Sequence, residues 1–103
     1  MVDMKKMMRQ AQEMQEKLQV ELAEMRVSAS VGGGMVTATV NGAKELLELN
    51  IERDVVDPDD VEMLQDLVVS AVGEAVRRAE EQVQQKIGGM IPGGLGALGG
   101  MLG

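Results

Sequence analysis

Lys5, Lys6 and Arg9 are the residues of this chain best placed to do chemistry on an outside molecule. Clustered cations neutralise phosphate oxygens and give affinity that carries no sequence information. They do little for their own helix. All three stand near its N-terminus, where the macrodipole is already positive, and Lys5 and Arg9 repel at a spacing of four. The plainer alternative is a solvated helix face, with Arg9 half-paired to Glu13. Lys17 is a weaker phosphate candidate, because Glu13 and Glu21 flank it at helical spacing. Arg77 and Arg78 are also secondary: Glu81 follows the first by four residues and Glu74 precedes the second by four, so both are expected in helix-surface ion pairs.

The second dense charge run is acidic: Glu45, Glu48, Glu52, Asp54, Asp57, Asp59 and Asp60. Its spacing lacks the alternation around a glycine and the distal Glu of a calcium loop. Asp57, Asp59 and Asp60 are better read as helix-capping residues. Gly32, Gly33 and Gly34 do not make a phosphate loop, since no helix opening with Lys-Ser or Lys-Thr follows them. The chain contains no histidine and no cysteine. That removes the commonest general base, the thiolate nucleophile and the usual zinc ligands together. With no base available to activate a nucleophile, neither an enzyme nor a metal or cofactor site is expected. No Phe, Tyr or Trp is present to stack on bases, which argues against a single-strand binder.

Charge is distributed unevenly. The net value is -7, yet residues 1–26 carry five cations against five acids and residues 67–103 carry three of each. All of the net negative charge falls in residues 27–66. An acidic protein of this layout confines contact with a polyanion to its outer thirds.

These side chains need elements to position them. Met4, Met7, Met8, Ala11, Met14, Leu18, Leu22 and Met25 recur at three and four, predicting one amphipathic helix over residues 4–25 with Asp3 as its cap. The apolar stripe covers roughly 120° of the helix, and Lys5, Lys6, Arg9 and Lys17 lie on the opposite side. The period then becomes two. Val27, Ala29 and Val31 form one alternating run, and Val36, Ala38 and Val40 form a second beyond the Gly32–34 turn. Leu47, Leu49 and Ile51 make the third. Asn41 followed by Gly42 signals a tight hairpin, because both residues tolerate positive φ. Asp57 and Pro58 predict a second helix over residues 58–87, with a stripe of Val61, Leu64, Val68, Ala71, Val72, Ala75, Ala79 and Val83. Gly73 within it marks a close contact or a weak point. Residues 88–103, rich in Gly, Met and Leu and without charge, read as a flexible tail behind a domain of residues 1–87.

The predicted class is therefore α+β: a single α-β-β-β-α domain with a three-stranded antiparallel sheet and two long helices. A helix of this length spans about 35 Å, more than a small sheet can cover. The stripe residues Met4, Met7, Met8, Met14 and Leu18 are accordingly expected in a core or dimer seam. No segment approaches the roughly 20 apolar residues of a membrane span or resembles a signal peptide, so a cytoplasmic protein with no membrane partner is expected.

Three strings, MKKMMRQAQEMQEKL at 4–18, GGGMVTATVNGAKEL at 32–46 and DDVEMLQDLVVSAVGEAVRRAEE at 59–81, resemble the YbaB/EbfC nucleoid-associated, DNA-binding family of bacteria. The likeness covers nearly all of the chain but the tail. It implies a tweezers-like homodimer, with helices projecting from paired sheets, that binds double-stranded DNA in the nucleoid without enzymatic activity. It also implies a role in nucleoid organisation or gene regulation, with recombination and repair proteins as partners in some bacteria. By this resemblance Lys5, Lys6 and Arg9 become the leading DNA contacts, with Arg77 and Arg78 behind them. Gly73 departs from the family, which more often carries a polar residue such as Asn there. The alternative is a protein-interaction adaptor with weak or no DNA binding, recruiting a partner through the methionine stripe or the tail.

Overall fold

The computed structural model describes residues 3–90. Its elements run α1 (Met4–Glu24), β1 (Val27–Val31), β2 (Val36–Val40), β3 (Leu46–Ile51), a 3-10 turn at Arg53–Val55 and α2 (Val61–Met90). The order and the single antiparallel sheet β1-β2-β3 are those predicted from periodicity.

Asp3 caps α1 as expected, its Oδ1 accepting from the backbone N–H of Lys5 at 3.1 Å and of Lys6 at 3.3 Å. The start of α2 differs from the prediction. Asp57 closes a turn instead, its Oδ1 accepting from Asp59 N at 2.9 Å and its carbonyl from Asp60 N at 3.0 Å. Asp60 is the side chain that reaches into the helix, accepting from Met63 N at 3.2 Å. Pro58 thus serves the turn, a role its fixed φ fits equally well. At its other end α2 continues through Gly88 and Gly89 to Met90, past the expected boundary at 87. The rest of the expected tail lies outside the described residues.

The core is thin and aliphatic. Val27, Ala29, Val36, Ala38 and Val40 present one face of β1 and β2 to Ala71, Ala75 and Ala79 of α2. Each buried valine is worth about 1.5–3 kcal/mol relative to exposure. The opposite face of these strands is polar. Ser28 pairs with Thr39 and Ser30 with Thr37, each with hydroxyls 2.7 Å apart.

Two expected core elements stand outside this core. Leu49 and Ile51 oppose Ala38 and Val36 in register, so they share the face that α2 packs on. Yet Leu47, Leu49 and Ile51 remain 41, 36 and 37% exposed. The cause is placement: α2 packs mainly over β1 and β2, with little contact to β3. The methionine stripe is not core within the single chain either. α1 buries no residue, and Met4, Met7, Met8 and Met14 are all more than half exposed.

α1 is joined to the sheet at its last turn. Gly42 N–H donates to Leu22 O at 2.8 Å, and a Cβ at Gly42 would stand 2.8 Å from Met25 Sδ and 2.9 Å from Leu22 Cδ2. Gly42 therefore serves close approach and does not take positive φ, contrary to the tight-hairpin expectation. Lys44, at φ 67°, supplies the left-handed residue. Asn41 organises the loop from a buried position. Its Oδ1 accepts from Ala43 N at 3.0 Å and Glu45 N at 2.9 Å, while its Nδ2 donates to Glu45 Oε1 at 2.9 Å. This Asx turn lengthens the connection beyond two residues. The molecule that results measures 71 × 30 × 16 Å.

Candidate nucleic-acid interface

Lys5, Lys6 and Arg9 occupy the first two turns of α1 and are exposed. None of the three takes part in an ion pair among the described residues, and the expected half-pair of Arg9 with Glu13 is not formed. Their Nζ and guanidinium groups are thus available to an external acceptor. Asp3 offsets the helix N-terminus beside them by taking two of its backbone N–H groups.

Lys17 is also exposed and forms no ion pair; the expected flanking by Glu13 and Glu21 does not hold it. Glu21 is instead 3.4 Å from Lys86 Nζ on α2. This cross-link brings the last turns of the two helices together around a hollow of about 250 Å³, lined by Met14, Lys17, Leu18, Glu21 and Lys86. Leu18, expected in the seam, forms part of that wall and is half-buried.

Arg77 and Arg78 are placed otherwise. Arg77 pairs with Glu74, three residues back, and not with Glu81. Arg78 shares the same carboxylate at 3.5 Å, as its spacing predicted, and donates through Nη1 to the Ser28 carbonyl on β1 at 3.2 Å. The hydrogen bond from Arg77, then its charge, hold the Glu74 carboxyl below the ordinary carboxylate value. One carboxylate therefore restrains two guanidinium groups, and the second also ties α2 to the sheet. Lys44 is likewise engaged, 3.0 Å from Glu80.

Apart from Arg53, which is unpaired among the described residues and stands in the acidic stretch 52–66, the cations divide into two sets. Those of α2 and the 41–45 loop are tied to carboxylates, whereas those along α1 are unpaired and on one element. Arg26, between α1 and β1, belongs with the unpaired set and was not anticipated from sequence. Its signal is its place outside any helix, where no residue at helical spacing is positioned to pair with it. An exposed helix carrying unpaired Lys and Arg at its tip is suited to phosphate oxygens. Among the described residues no helix is long and apolar enough to cross a membrane.

The chain is 51% identical over 98 residues to a nucleoid-associated protein of Acetivibrio thermocellus, covering 92% of this chain and 86% of that one. It is 49% identical over 105 residues to a nucleoid-associated protein of Rhodococcus opacus, covering 98% and 93%. Its fold matches the crystal structure of the uncharacterized protein HP0035 from Helicobacter pylori with a TM-score of 0.71 at 22% identity, over 87% of this chain and 98% of the other. The model of the YbaB/EbfC DNA-binding family spans residues 1–95, and the chain belongs to that family.

Proposed function

We propose that this protein binds double-stranded DNA in the bacterial nucleoid as a homodimer, through phosphate contacts from Lys5, Lys6 and Arg9, with Lys17 further along the same helix. The observation that carries the reading is the contrast in pairing: the α1 cations have no carboxylate partner, whereas Arg77 and Arg78 share Glu74. Arg77 and Arg78 accordingly contribute less. The second copy covers the methionine stripe of Met4, Met7, Met8, Met14 and Leu18 together with the apolar side of β3, leaving the basic side of α1 outward. No catalysis is involved. The protein acts in the cytoplasm on nucleoid organisation or gene regulation, and recombination and repair proteins are further partners under this reading.

The test is DNA affinity of a Lys5→Ala/Lys6→Ala/Arg9→Ala variant. Doubling three cations across a dimer gives about six neutralised phosphates, so log K should fall with log salt at a slope near about -5. The triple variant should lose most of that slope and bind at least about tenfold more weakly. Unchanged affinity in a folded variant would remove these residues from the interface. Absence of DNA binding by the wild-type protein at physiological salt, with capture of a protein partner on the methionine stripe, would favour the adaptor reading.

A further inference from the structure

The far end of the molecule from the α1 tip carries an apolar groove with an acidic rim. Met35, Val55 and Met63 line a hollow of about 330 Å³ together with Gly33, Gly34, Glu52 and Asp54. Met63 also lines the adjoining hollow of about 370 Å³, with Leu67 and the acids Asp60, Glu62 and Asp66. Met35 and Met63 are both exposed there. Over residues 52–66 seven carboxylates stand against the single cation Arg53. Among the described residues none of the seven is in an ion pair.

Topology sets this groove opposite the basic tip. α1 meets the sheet where Gly42 reaches Leu22, at the end of β2. The groove lies at the other end, where Glu52 N donates to Met35 O at 2.9 Å just before β2 begins. One molecule thus carries an unpaired basic surface at one end and an unpaired acidic, methionine-lined surface at the other.

We propose that the groove receives the basic side of α1 from a second molecule. Lys5, Lys6 and Arg9 would lay their aliphatic stems against Met35 and Met63 while their heads reach Glu52, Asp54, Asp60 and Glu62. The methionine side of α1 is not used, so the contact is compatible with the proposed dimer. It joins two different surfaces and does not close, so it extends from molecule to molecule. The groove is small, which makes the contact weak and sensitive to salt. DNA engages the same cations, so DNA and end-to-end association exclude one another.

The experiment is sedimentation or light scattering of the full-length protein without DNA. At about 20 mM salt the mean mass should rise with concentration beyond twice the chain mass, and at about 500 mM it should fall back. A Glu52→Gln/Asp54→Asn/Glu62→Gln variant should stay at the lower mass in both conditions with unchanged helical circular dichroism. Lys6→Glu should block the growth, and adding Asp54→Lys to the same chain should restore it. Short duplex DNA should reverse the growth of the wild-type protein. A mean mass that never exceeds the dimer at low salt, or an acid-rim variant that assembles like the wild type, overturns the proposal. The acid-rim variant leaves every proposed DNA contact in place. Failure of DNA binding in it and in the wild type would defeat the phosphate reading and leave this one standing.

Discussion

A methyl group added at Gly42 would lie 2.8 Å from Met25 Sδ and 3.1 Å from the Leu22 carbonyl, so the last turn of α1 would have to move. Gly42→Ala is expected to cost about 1–3 kcal/mol in denaturant unfolding. Gly73 is the opposite case, since its added methyl meets only Arg77 Nη1 at 3.6 Å, an ordinary contact. Gly73 therefore marks no close contact, and Gly73→Ala should stabilise by about 0.5–1 kcal/mol in the same measurement. Glu74 gives a pH dependence of definite sign. Its value is lowered in the fold, chiefly by the hydrogen bond from Arg77. The associated stability is complete above the ordinary carboxylate value of 4.5 and is lost as pH falls through the lowered one. A comparison of wild type with Glu74→Gln should thus show a stability gap at about pH 7 that closes as pH falls through the lowered value. A gap that widens on acidification would contradict the ion-pair account.

Among the elements, the strands were the most legible. Val27, Ala29 and Val31, then Val36, Ala38 and Val40, alternate without interruption, and their pairing follows from the Gly32–34 turn between them. The buried side of α2 was equally plain, because Ala71, Ala75 and Ala79 repeat at four. What sequence could not supply was lateral placement. Leu49 and Ile51 alternate as well as any core strand, and only the position of α2 over β1 and β2 leaves them uncovered. Local turn chemistry was ambiguous for a similar reason. Asn41 and Gly42 marked the right connection, but the contact with Leu22, a tertiary constraint, decided its form. Asn41 shows what that connection depends on. Asn41→Ala removes the acceptor of two backbone N–H groups from a buried site and is expected to cost about 1–3 kcal/mol. The candidate interface was half legible. The cluster at residues 5–9 could be read directly, whereas Glu74 holding both arginines depended on side-chain geometry.

At the scale of the whole molecule, a single chain leaves much apolar surface open. The exposed sides of α1 and β3 are what a second copy would bury. Under the proposed dimer, the melting temperature should rise with protein concentration, and Leu49→Asp should abolish that dependence. The alanine ridge of α2 has a consequence for the ends of the molecule. Ala71, Ala75 and Ala79 are the fulcrum on which α2 rests against the sheet, and the helix runs on from there to Met90 as a lever arm. The arm is about 16 Å long beyond Ala79 at 1.5 Å per residue. A larger side chain at the fulcrum would swing that arm and shift Lys86 relative to Glu21. The gap between the two helices is thereby set from inside the core, by the smallest side chains in it.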